Sequence, residues 1–109
     1  MSAAPPRPVT PAMALWNLVP LSARAALGAR VPVRCKIAGG AEALALPMGG
    51  PGPLRVVYLT FEASGWIACR VWEVRDKGTA NLARATVPAN VLGGLLTRWA
   101  REFGPGAAR

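Results

Sequence analysis

The sequence predicts an α+β fold, a small antiparallel β-sheet of hairpins (about four or five strands) packed on a C-terminal α-helix. Two alternating segments, Leu54–Glu62 and Trp66–Arg75, flank the short linker Ala63-Ser64-Gly65, which suits a hairpin loop ending on glycine. Downstream, Val91, Leu92, Leu95, Leu96, Trp99 and Phe103 recur at helical spacing. At 109 residues the chain has the usual size of a single domain.

Taken in order, residues 1–11 contain Pro5, Pro6, Pro8 and Pro11 and little to bury, and read as a Pro-rich flexible arm. The single basic domain is expected over residues 12–104, with 105–109 a tail. Leu15-Trp16-Asn17-Leu18-Val19 is an apolar cluster expected to pack onto the domain. A short N-terminal helix is expected over Ala23–Leu27, capped by Ser22 and ended by Gly28. In Val31–Ile37, alternation places Val33, Cys35 and Ile37 inward and Arg34 and Lys36 outward. Gly39-Gly40 marks a turn into a short return strand, Glu42–Leu46, with Leu44 and Leu46 inward; Pro47–Pro53 is a loop.

The central hairpin sets its own register. Glu62 opposite Trp66 pairs Phe61 with Ile67, Leu59 with Cys69 and Val57 with Val71 on one face. Thr60 then meets Ala68, Tyr58 meets Arg70 and Val56 meets Trp72 on the other. A slip of one residue in one strand would mix the two sets. Arg55 falls opposite Glu73, where an ion pair is expected. A turn at Asp76–Thr79 leads to a last strand, Asn81–Val87; pairing Arg75 with Asn81 sets Arg84 beside Trp72 and Thr86 beside Arg70. Pro88 suits the first turn of the C-terminal helix, Gly104-Pro105 stops it, and Arg98 and Glu102 form an i,i+4 pair. Gly93-Gly94 weakens this helix and allows close approach of a neighbouring element.

Thirteen Lys and Arg against five Asp and Glu give a formal charge of +8. Arginine's planar fork matches phosphate and stacks on rings, so a polyanion is one expected partner and an acidic protein surface another. A GC-rich coding bias toward Arg, Ala, Gly and Pro also yields such a composition. With no histidine and two cysteines, Cys35 and Cys69, the chain offers neither a disulfide framework nor a closed zinc site. Both thiols are read as small inward residues in a reducing, cytoplasmic setting. No segment has the length of a membrane span. The usual general base is absent and the carboxylates are scattered, so no enzymatic activity and no cofactor are expected.

One constellation carries chemistry. Tyr58, Trp66, Arg70, Trp72 and Arg84 fall on the outer face of the hairpin sheet, with Arg34 and Lys36 extending it from the first strand. Rings interleaved with arginines bind single-stranded nucleic acid, bases stacking on rings while cations follow the phosphates. The sequence leaves this face either open or covered by the segment around Trp16 and Leu18, and cover is the commoner fate of a second apolar face.

The order of strands in hairpins followed by one helix, over roughly residues 31 to 103, resembles the transcriptional-coactivator type of single-strand binder. That resemblance implies single-strand binding and assigns no residue. The expected function is a non-enzymatic module for single-stranded DNA or RNA, homodimerising through the C-terminal helix. The alternative is a small protein-interaction or inhibitor subunit, phage-encoded or part of a larger assembly, docking a protein through the same face or the helix.

Overall fold

A computed structural model of the chain describes residues 9–29, 31–37 and 39–105. Helices α1 (Pro11–Leu18) and α2 (Leu21–Leu27) precede strands β1 (Val33–Lys36), β2 (Glu42–Pro47), β3 (Arg55–Phe61), β4 (Ile67–Arg75) and β5 (Gly78–Val87), and helix α3 (Ala89–Phe103) closes the fold. The five strands form one antiparallel sheet in the order of the chain. The expected α+β class, the hairpin sheet and the C-terminal helix are all present. No helix among the described residues is long and apolar enough to cross a membrane.

The three helices crowd onto one face of the sheet. Leu44 and Leu46 of β2, Val57 and Leu59 of β3, and Ile67, Cys69 and Val71 of β4 all point there and are fully or almost fully buried. They meet Leu15 of α1, Ala23 and Leu27 of α2, and Leu92, Leu96 and Trp99 of α3 in one apolar cluster. Burying side chains of this size stabilises by about 1.5–3 kcal/mol each, which is the main term holding the layers together. Trp99, 5% exposed, belongs to this core.

The β3–β4 register is the expected one throughout, from Arg55↔Glu73 to Phe61↔Ile67. Its loop is closed by Glu62 N–H donating to the Trp66 carbonyl at 2.8 Å. Arg55 donates to Glu73 at 3.1 Å, and its Nη1 reaches the Phe103 carbonyl at 3.1 Å, tying the sheet to an unsatisfied carbonyl at the end of α3. Arg75 donates to the other Glu73 oxygen at 2.8 Å. These two guanidinium hydrogen bonds, Arg75 first, hold the Glu73 carboxyl below the usual carboxylate range.

Four expectations are corrected. The arm does not extend to residue 11: the Thr10 side chain accepts from Met13 N–H and Pro11 opens α1, so Leu15–Leu18 is helical, with Val19 its extended C-cap, where an unspecified cluster was expected. Residues 1–8 of the arm and 106–109 of the tail lie outside the described residues. Ser22 is not a cap, since α2 begins at Leu21 behind Pro20 with no side-chain cap bond. What fixes that junction is Arg24, which donates to the Val19 and Trp16 carbonyls and lies 3.8 Å above the Trp16 ring. Gly28 ends α2 as expected, at φ 67.

The third correction is to the faces of β1. Arg34 pairs with Leu44 and Lys36 with Glu42, placing both on the helix side, while Val33 and Cys35 pair with Ala45 and Ala43 on the outer side. The strand is an edge beyond the helical layer, so its helix side is wet and offers Arg34 a carboxylate, Glu42, at 3.1 Å. Its apolar residues instead join an outer face that is itself apolar at this corner. Cys35 therefore lies on the opposite face from Cys69, and no disulfide joins these free thiols. Burial pushes the Cys69 thiol up to about 12.

The fourth concerns β5. Its turn is tighter than expected, with Arg75 paired to Gly78, and a bulge interrupts the ladder beside Val71 and Trp72. Arg84 is consequently opposite Arg70, not Trp72, and Thr86 is opposite Ala68. The bulge has a chemical filling: Asn81 Nδ2 donates to the Val71 and Ala83 carbonyls at 3.3 and 3.4 Å.

The diglycine of α3 divides its labour. A Cβ on Gly93 would lie 2.7 Å from Pro20 Cγ, whereas one on Gly94 would meet nothing within 4 Å. Gly93→Ala is expected to lower the thermal midpoint, because the proline ring must shift. Gly94→Ala is expected to raise it by several degrees, in line with about 1 kcal/mol of helix propensity. Calorimetry of both variants checks this. Because the folded Glu73 carboxyl is held below its unfolded value of about 4.3, its contribution is complete above that pH and lost as pH falls through the folded value. In denaturant titrations Glu73→Gln should be less stable than the parent at pH 7, and the gap should narrow as the pH drops below about 4.

Candidate nucleic-acid interface

Strand alternation sends a second set of side chains to the face away from the helices. Across the sheet, one row reads Val33, Ala45, Tyr58, Arg70, Arg84, and the next toward the β4–β5 turn reads Pro47, Val56, Trp72, Asn81. On the hairpin side lies Cys35, Ala43, Thr60, Ala68, Thr86. None of these residues belongs to the apolar cluster beneath the helices. Both N-terminal helices share the helix side with α3, so among the described residues nothing covers this face.

The face is not flat. Ala43 and Ala45 on β2 and Ala68 on β4 put small side chains on either side of β3, and the larger Tyr58, Trp72 and Val56 stand around them. The result is an open groove of about 400 Å³, closed at the sheet edge by the chain at Lys36 and Ile37. Ala43 is fully buried and Ala45 and Val56 nearly so by these lateral neighbours, while Tyr58 and Trp72 remain half-buried.

Arg70 and Arg84 dominate the electrostatics. The Glu62–Trp66 hydrogen bond fixes the phase of the β3–β4 ladder, so Arg70 directs its backbone bonds to Tyr58. Toward β5 it therefore faces Arg84 as a non-hydrogen-bonded pair, in which Cα atoms lie about 4.5 Å apart. Like charges directly opposite one another destabilise a sheet. Neither arginine is among the ion pairs of the described residues, which join Arg34 to Glu42, Arg55 and Arg75 to Glu73, and Arg98 to Glu102. The carboxylates stand elsewhere: Glu62, accepting from Thr86 Oγ1 at 3.1 Å, is at the hairpin loop, and Asp76 is in the opposite turn.

Of the expected site residues, the fold brings Tyr58, Arg70, Trp72 and Arg84 together. Trp66, 49% exposed, sits at the hairpin end, about 13 Å along β4 from Arg70 at a rise of roughly 3.3 Å per residue. Arg34 is removed by its place on the helix side and its bond to Glu42, whereas Lys36 shares that side by register but still borders the groove at the sheet edge. The alanine floor went unread in the sequence. Its signal was the alternation of Ala43 and Ala45 with the inward leucines, which marks a strand small on its outer side. Chemically, the arrangement can stack a planar ring and neutralise an anion. Among the described residues no three His, Cys, Asp or Glu side chains gather to hold a metal.

Compared with known proteins, the chain matches no family model, no curated protein and no solved structure. The likeness in element order to coactivator-type single-strand binders thus gains no support from shape, and the functional reading rests on this face alone.

The facing arginines make a stability prediction independent of any ligand. Arg84→Thr should stabilise the fold at low salt by roughly 0.2–1 kcal/mol, by removing the like-charge pair and placing a good strand former beside Arg70. Chemical denaturation at low and high salt checks it, since the gain should shrink as salt screens the repulsion.

Proposed function

We propose that this chain is a non-enzymatic module that binds single-stranded nucleic acid, DNA or RNA, across the outer face of its sheet. One observation carries the reading: among the described residues, a cross-strand arginine pair with no carboxylate partner lies beside half-buried Tyr58 and Trp72 on a face that none of them covers. Keeping two like charges opposed lowers stability, and a bound polyanion removes that penalty. Base stacking on rings adds roughly 1–3 kcal/mol per base and needs bases freed from a duplex, so single strands are favoured. Trp66, further along β4, extends the platform to a second stacking position. A formal +8 adds long-range attraction for phosphate chains. Two unlinked free thiols accord with a cytoplasmic setting. The apolar side of α3 that includes Trp99 lies in the core, so pairing of two copies through α3 would fall to its outer residues such as Val91.

Titration with short fluorescent single-stranded and duplex oligonucleotides, at low and moderate salt, tests the proposal. Single strands should bind with a steep salt dependence and quench tryptophan emission. Arg70→Ala should weaken binding and reduce the salt slope by about 0.7 for the lost phosphate contact. Trp72→Ala should cost about 1–3 kcal/mol, with circular dichroism unchanged. Absence of binding at low salt removes the proposal and directs the search to a protein partner on the same face.

A further inference from the structure

The groove beside Trp72 has a shape that a mere stacking platform does not require. Two alanines, Ala43 and Ala68, lie in its floor, and its volume of about 400 Å³ lies at the lower end of pockets that enclose small organic ligands. Tyr58 lies directly opposite Arg70, and Trp72 is two residues further along β4, so the two rings are diagonal neighbours. The backbones of such neighbours stand about 7–8 Å apart, and both rings line the groove. Val56 and Arg70 occupy the other diagonal between the two rings, Arg84 faces Arg70 from β5 at the rim, and Ala43 on β2 and Ala68 on β4 line the groove toward the hairpin. Thr60 Oγ1 donates to the Glu42 carbonyl at 3.2 Å, which leaves the oxygen itself as an acceptor at the edge of the floor.

We propose that this groove is a mononucleotide-sized seat, which takes one unpaired base between Tyr58 and Trp72 and holds that nucleotide's phosphate between Arg70 and Arg84. The inference rests on the single-strand reading and goes beyond it, making one nucleotide the anchor of the strand and the remaining contacts secondary. The occupant follows from complementarity. The apolar floor and rings suit a flat heterocycle, the facing guanidinium groups suit a dianionic phosphate, and a nucleotide supplies both on one short frame.

The test uses the full chain, calorimetry and tryptophan fluorescence, with adenosine 5′-monophosphate, adenosine, inorganic phosphate and a hexadeoxynucleotide as probes. The monophosphate should bind at least tenfold more tightly than either adenosine or phosphate. Arg84→Ala should remove most of that advantage while leaving adenosine binding unchanged. Ala68→Leu, which fills the floor of the groove, should weaken the monophosphate at least tenfold while the hexanucleotide keeps its salt-dependent attraction. If the hexanucleotide binds but the monophosphate does not exceed phosphate, the seat is disproved and the platform stands. If neither binds, both readings fall. If Ala68→Leu does not fold by circular dichroism, the Arg84→Ala comparison decides alone, and an unchanged monophosphate affinity there overturns the proposal.

Discussion

The register of the β3–β4 hairpin is the constraint on which the rest of this molecule depends. Its apolar pairs, from Val57↔Val71 to Phe61↔Ile67, all lie on one side, and that side buries residues of all three helices in one cluster. With α1, α2 and α3 gathered there, no described element remains to cover the other side. Openness of the outer face is thus a consequence of where the apolar area was needed. The same register sets Tyr58 against Arg70 and Val56 against Trp72, so one hairpin organises both the core and the candidate site.

Charge is distributed with the same one-sidedness. Glu73 holds two arginines and draws Arg55 onto the end of α3; Glu42 holds Arg34 and accepts the Ala12 N–H at the start of α1. These carboxylates serve the helix layer: Glu42 puts an anion at the N-terminus of α1, and Glu73 holds the cation of Arg55 at the C-terminus of α3, each the sign the helix end favours. The outer face keeps Arg70 and Arg84 facing each other without such relief. A local arrangement that lowers stability while all around it is satisfied is the pattern expected of a functional site.

Strand alternation carried most of the reading where it was strong and failed where a strand lay at an edge. The central hairpin was legible to its individual pairs because its two faces differ in polarity. The helix stripe was legible because Leu92, Leu96 and Trp99 return at helical spacing. The first strand misled: Val33, Cys35 and Ile37 look like a core face, but at the sheet edge they have no helix above them. The last strand misled differently. Its bulge at the Trp72 level and its tight turn displace the pairing by two residues, and neither leaves a mark in hydropathy. That displacement is what turned an expected Arg84–Trp72 neighbour into an Arg84–Arg70 pair.

By itself the sequence determined the class of the fold, the central register, the C-terminal helix and four of the residues that meet on the outer face, since these follow from local periodicity and turn chemistry. Only the tertiary structure decided which side the N-terminal helices would take, that Arg34 would leave the site, and that Ala43 and Ala68 would sink a groove beside Tyr58 and Trp72. Those outcomes depend on competition among distant segments for one apolar surface and on strand offsets fixed by backbone hydrogen bonds, neither of which is encoded in the spacing of residues along a single strand.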